Sequence, residues 1–165
     1  MGALVTDAGP KLGEVAPKFE LRALNGASIS IGGQRPLSQL LFFLSPTCPV
    51  CKKLLPILKS ASNAEREWLQ VVLASDGEAT QHLAFYRDAK LTEFPYVLSS
   101  DLGMTYRVSR LPYAVLIDET SAIRAKGMIN NREQLESLFN AKELGVGSVQ
   151  DFLTGSNSTY SSKAA

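Results

Sequence analysis

The sequence is short of metal ligands and of thiols: in 165 residues it holds one histidine, His82, and two cysteines, Cys48 and Cys51. A closed zinc site needs four ligands, so zinc would have to recruit carboxylates. An excess of one charge is missing too, since 17 Lys and Arg face 16 Asp and Glu, scattered rather than run together. No basic face stands ready for phosphates, which argues against a nucleic-acid partner. Long hydrophobic runs are absent: the longest, Leu40–Leu44, falls far short of the ~20 residues that span a bilayer. The first residues lack the cationic stretch, apolar segment and small-residue cleavage site of a secretory leader. Taken literally the start reads as cytosolic, although a chain trimmed of a leader or anchor would read the same way.

What is present fits one soluble globular domain, with 45% apolar and 20% charged residues. The expected division is an arm over residues 1–16, a domain over 17–154 and a small, polar, disordered tail over 155–165. In "FELRALNGASISIGG" two alternating runs flank Asn25-Gly26, the pair that most easily takes two positive φ angles, which predicts a β-hairpin. "LSQLLFFL" and "LQVVLAS" are apolar on both sides, as strands in a covered sheet must be. Helices are expected from Pro49 onward, with Leu54, Leu55 and Leu58 on one side, and over Ala79 to Lys90. "PYVLSS" extends, "DLGMTYRV" makes a helical turn, and "SRLPYAVLID" and "AIRAKGMI" form a closing hairpin. A final long helix opens on the capping pair Asn131 and Gln134 and stops before Gly145, with a shorter one after Ser148. The fold class is therefore α/β, a layered sheet with buried strands in its centre.

The stretch "SPTCPVCKKLLPIL" puts Cys48 where a buried strand ends and Cys51 just inside the helix that follows. Buried cysteines often do nothing but fill space. Here the position argues otherwise: the Cys48 sulfur lies beside the free N–H groups and positive end of a helix, which favours an anion. Cys51, one turn on, is within the ~5.5 Å Cα separation that a disulfide prefers. A strand-end thiolate with a second sulfur beneath it is the arrangement of thiol–disulfide exchange, in which the first cysteine attacks and the second resolves. Pro49 suits the first helical position, where its missing N–H costs nothing. Val50 adds no charge between the cysteines, which suggests a middling potential. His82, on the helix side shared with Ala79, Leu83 and Tyr86, reads as half-buried or solvated rather than as a ligand.

These residues resemble the thioredoxin-like superfamily: Cys-x-x-Cys after a buried strand, Pro56 eight residues beyond Cys48, and Pro112 before a strand. The resemblance implies a mixed central sheet flanked by helices. It also implies that Pro112 is a cis-proline packed against the sulfurs, and that the Leu111 backbone pairs with an extended substrate. The amino-terminal hairpin and the helical insertion between "LQVVLAS" and "PYVLSS" are similar to the membrane-anchored TlpA-like branch. Within that branch "GALVTDAGPKLGEVAPKFEL", "LLFFLSPTCPVCKKLLP", "FPYVLS" and "LPYAVLID" resemble the MauD family of methylamine-utilisation proteins. What this implies is a periplasmic domain tethered by an amino-terminal membrane helix, with Met1 an introduced start. The implied client is the cysteine-rich small subunit of methylamine dehydrogenase, with a further redox partner to reset the pair. No cofactor is implied beyond the Cys48–Cys51 disulfide itself.

Two positions depart from thioredoxin: Thr47 replaces the aromatic residue often found before the first cysteine, and Phe42 stands where a buried acid is usual. Without that acid, nothing on the strand takes the proton from Cys51. Three other readings compete. One is a reductase of the cytochrome c maturation type. Another is a peroxidase, disfavoured because Leu41 occupies the proline position of the peroxiredoxin motif. The third is a client-binding chaperone or copper metallochaperone without turnover.

Overall fold

The structure is a computed structural model that describes residues 9–144. A short hairpin, β1 (Phe19–Arg22) and β2 (Ser28–Ile31), precedes the central strand β3 (Ser38–Phe43). Helix α1 (Pro49–Ala64), strand β4 (Leu69–Ser75), helix α2 (Ala79–Asp88) and strand β5 (Tyr96–Leu98) follow. The chain ends its described part with α3 (Ser100–Thr105), β6 (Tyr113–Ile117), β7 (Ile123–Met128) and α4 (Arg132–Leu144). The main sheet has five strands in the order β5-β4-β3-β6-β7. Strands β3, β4 and β5 run parallel, while β6 and β7 are antiparallel to their neighbours.

The unbroken apolar run of β3 follows from its central place. Successive side chains point to opposite faces, and both faces are covered. Leu40 and Phe42 enter one core with Leu54, Leu55 and Leu58 of α1 and Leu135 and Leu138 of α4. Leu41 and Phe43 enter the other with Val115, Leu102 of α3 and Ile31 of the hairpin. Each of these fully buried side chains contributes roughly 1.5–3 kcal/mol.

The hairpin forms where its alternation places it, with Phe19 opposite Ile31 and Arg22 opposite Ser28. Its turn differs from the expectation of two positive φ angles. Gly26 takes φ +90 and Asn25 does not join it. Instead the Gly26 N–H donates to the Ala23 carbonyl at 2.8 Å and the Ala23 N–H to that of Ala27 at 2.7 Å. One extra residue in the turn therefore leaves only one position needing glycine's freedom. The hairpin forms its own sheet but is tied to the edge of β5, where the Leu24 N–H donates to the Tyr96 carbonyl at 2.8 Å. An exposed strand edge is thereby covered.

The arm expected to end at residue 16 is fastened to the domain from Pro10 onward, where the Lys126 ammonium donates to the Pro10 carbonyl at 2.8 Å. The Gly13 N–H donates to the Ile123 carbonyl and the Ala16 N–H to that of Ser121, both at 2.7 Å. At α4 the Gln134 N–H donates to Asn131 Oδ1 at 2.9 Å, the expected cap, whereas the Gln134 side chain accepts from Asn130 at 2.7 Å. The expected helix after Ser148 and the tail from residue 155 lie outside the described residues.

Candidate active site at Cys48 and Cys51

Strand β3 hands over to a short loop, Leu44 to Thr47, before α1 begins. The Leu44 N–H still bonds to the Ala74 carbonyl at 3.0 Å, so the loop starts from a fixed point. Ser45 and Thr47 then brace each other, with hydroxyls 3.1 Å apart and the Thr47 N–H donating to Ser45 Oγ at 3.3 Å. Cys48 is the N-cap of α1, in extended backbone conformation, and Pro49 fills the first helical position. A capping side chain normally offers oxygen to an orphan N–H. Here the Cys48 sulfur takes that place, accepting from the Cys51 N–H at 3.2 Å.

The two thiols are therefore unequal. Cys48 is partly exposed, whereas Cys51 is fully buried, and both are free. Burial pushes the Cys51 thiol up to about 12, with further help from its hydrogen bond to Cys48. Val50 is partly exposed beside them, and Pro49, Lys52 and Lys53 face solvent. Phe42, at 1% exposure, occupies the core beneath.

Leu111 and Pro112 reach the same corner through the sheet. Phe43 of β3 pairs with Tyr113 of β6, so the residues just before β6 lie at the point where β3 leaves for the Cys48 loop. The Leu111–Pro112 peptide bond is cis, as the resemblance implied. Pro112 is buried, while Leu111 remains 37% exposed. Among the described residues nothing hydrogen-bonds the Leu111 main chain. An open cleft of about 510 Å³ adjoins this corner, bounded by Ser45 and Leu111 on one side and by Asp76, Met104 and Val108 on the other.

His82 corrects the expectation of a half-buried or solvated residue. It is 2% exposed, and its ring nitrogens are 2.7 Å from the Tyr96 hydroxyl and 2.7 Å from the Asp76 carbonyl oxygen. Its partner on β5 is fourteen residues away, so helical periodicity around His82 carried no sign of it. Nor did Tyr96 stand out in "FPYVLSS", where it reads as an ordinary strand aromatic. The cleft gave no local signal either, because its walls come from β3, β4, α3 and the β6 approach.

The AhpC/TSA family model matches residues 12–138. The methylamine utilization protein MauD of Methylorubrum extorquens is 44% identical over 100% of this chain and 80% of its own length. MauD of Paracoccus versutus is 46% identical over 93% of this chain and 77% of its own. Among solved structures, a thiol:disulfide interchange protein DsbE from Chlorobium tepidum superposes with TM-score 0.73 at 18% identity, covering 83% of this chain and 99% of that one. StoA from Bacillus subtilis gives 0.63 at 28% identity, covering 76% and 98%. A mixed five-stranded sheet between helices, a Cys-x-x-Cys pair whose first member caps α1 and a cis bond before Pro112 at the entrance of β6 accord with these matches. The chain belongs to the AhpC/TSA family of thioredoxin-like proteins and, within it, to the MauD proteins.

Proposed function

We propose that this chain is a periplasmic thiol–disulfide oxidoreductase that forms or rearranges disulfides in a secreted client of methylamine utilisation. By resemblance, that client is the small subunit of methylamine dehydrogenase. One observation carries the chemistry: the partly exposed Cys48 sulfur caps α1 and accepts the N–H of a buried Cys51 at 3.2 Å. The outer sulfur meets the client, and the inner one is held back until a mixed disulfide exists.

In the reducing direction the Cys48 thiolate attacks one sulfur of a client disulfide. A Cys48–client bond forms and the other client sulfur leaves with the electron pair. Cys51 then attacks Cys48 Sγ, closing the Cys48–Cys51 disulfide and releasing the client thiolate. Oxidation of a client dithiol is the reverse sequence. The open main chain of Leu111, next to buried Pro112, would pair with the extended client segment that carries the reacting cysteine. Thr47, Pro49 and Val50 shape the rim of the site, and no cofactor beyond the sulfur pair enters. A redox partner must reset the pair, and an amino-terminal membrane tether would keep the domain beside its client.

Cys48→Ser should abolish exchange with a disulfide substrate, and Cys51→Ser should accumulate a mixed disulfide visible by non-reducing electrophoresis. Equilibration with glutathione buffers and thiol trapping then gives the potential: a value near that of thioredoxin, about −270 mV, would instead favour a dedicated reductase. If both variants exchange thiols as the parent does, the assignment fails.

A further inference from the structure

The steps above leave one polar unit on the α1 face of the sheet without a task. The Asp76 carbonyl oxygen can only accept, so His82 Nε2 carries the proton and donates to it across 2.7 Å. In the neutral ring Nδ1 is then the acceptor, and the Tyr96 O–H donates to it across 2.7 Å. Tyr96 thereby commits its one proton to His82 and leaves its oxygen lone pairs for another donor.

Tyr96 and Cys51 belong to the same buried cluster beneath α1. Strand register sets Phe42 beside Leu73 and Leu73 beside Tyr96 across β3, β4 and β5. Tyr96 thus stands two strand spacings, about 10 Å, from the position where the acid is missing. The other end of the unit lies buried beneath an exposed loop. Gly77, at φ +109 in the exposed loop after Asp76, lies over Nε2, where a Cβ would be in ordinary contact with it at 3.5 Å.

We propose that Tyr96 and His82 form a proton relay for Cys51, Tyr96 passing and His82 holding the proton that the resolving thiol gives up or takes back. The relay rests on the exchange role of Cys48 and Cys51. No hydrogen bond joins the Cys51 thiol to the Tyr96 hydroxyl among the described residues, so the relay requires a water between them. As Cys51 resolves a mixed disulfide, its proton passes to Tyr96 Oη while the Tyr96 proton moves to His82 Nδ1. The Cys51–Cys48 bond forms, the Cys48–client bond breaks, and the client sulfur leaves with the electron pair and takes a proton from solvent. His82 then gives up its Nε2 proton to water when the exposed Asp76–Gly77 loop that covers it opens, since the Asp76 carbonyl cannot carry the proton itself. When the Cys48–Cys51 disulfide is next reduced, Cys51 leaves as thiolate, the transfers run backwards and the starting tautomer returns.

Three features support this arrangement. Burial holds the Cys51 proton tightly, up to about 12, so a partner that accepts it has an effect on rate. Burial, together with the charge on Cys51, pushes the Tyr96 phenol up as well, so Tyr96 conducts a proton rather than losing one. An imidazole ring can take a proton at one nitrogen while it gives one up at the other, and both His82 nitrogens are held by hydrogen bonds. Among the described residues, the titratable groups that share this unit's cluster or bond to it are Cys51 on α1, Tyr86 on α2 and Asp76 in the loop over His82. Tyr86 stacks edge-on against Tyr96 at 5.5 Å but donates its own hydroxyl to the Phe94 carbonyl at 2.8 Å.

The test uses the full reduced chain with excess dithiobis-nitrobenzoate, which releases a coloured thiolate once when Cys48 attacks and again when Cys51 resolves. Tyr96→Phe keeps the ring and loses the hydroxyl. His82→Gln keeps an acceptor toward Tyr96 and a donor toward Asp76 but cannot take up a proton. Each should slow the second release by about tenfold to a hundredfold at neutral pH, within the reach of a general base. Each should also leave the first release unchanged and move the alkaline rise of the second-phase rate to higher pH. The double variant should be no slower than the slower single, as for residues acting in one unit. In the parent, the second phase should slow in heavy water by at least about 1.5-fold more than the first, since a proton moves in that step. Second-phase rates within twofold of the parent in folded variants, or no excess isotope effect in the parent, would overturn the relay. A parent that never releases the second thiolate would instead refute the exchange reading itself.

Discussion

The inequality of the two thiols can be tested without any client. At pH 7.5 an ordinary cysteine with a pKa of about 8.5 is roughly a tenth thiolate. A thiol held at about 12 has on the order of three thousandfold less thiolate at that pH, since each unit is a tenfold change. Cys51 is also buried with 0% exposure, which adds a steric barrier to that of ionisation. Reduced protein treated with iodoacetamide, quenched at intervals and mapped by mass spectrometry should therefore carry the label at Cys48 long before Cys51. The Cys51 rate should stay at least about a hundredfold below that of a free model thiol. Unfolding in guanidinium should bring Cys51 up to the model rate. Labelling of Cys51 within tenfold of the model thiol in the folded protein would refute the buried, protonated assignment, and with it the division of roles between the sulfurs.

The raised Cys51 value means that above pH ~8.5 the unfolded chain loses this proton while the folded one keeps it, so the reduced protein should lose about 1.4 kcal/mol per pH unit relative to Cys51→Ala. Urea unfolding of both proteins at pH 8 and pH 9.5 measures that difference, and parallel pH dependences would contradict it. Leu58→Ala removes a side chain 1% exposed between α1 and the sheet and should cost about 2–5 kcal/mol in the same assay. Asn131→Ala removes the oxygen that accepts the Gln134 N–H, and thermal melting should register a loss of about 0.5–2 kcal/mol.

Much of the architecture could be written from local pattern because local pattern caused it. The continuous apolar stretches of β3 and β4 required cover on both faces, and Pro49 with the leucines after it required a helix with one buried side. The cysteine pair was equally legible, since its place between those two elements fixes a sulfur at a helix tip. The hairpin turn was less so, because Asn25-Gly26 suits more than one turn and the flanking Ala23 and Ala27 pairing selected the longer one. The arm gave no hint of its bond to Ile123, a strand far away in sequence.

By itself, then, the order of residues determined the elements, the two cores and the identity of the reactive sulfurs, because periodicity and capping act within a few residues. Only tertiary packing decided what surrounds them. Whether His82 faced water or a buried phenol depended on α2 lying against β5, and Leu111 came to the end of β3 from which the Cys48 loop departs only through the pairing of β3 with β6. Those contacts join residues that strand order, not sequence distance, makes neighbours.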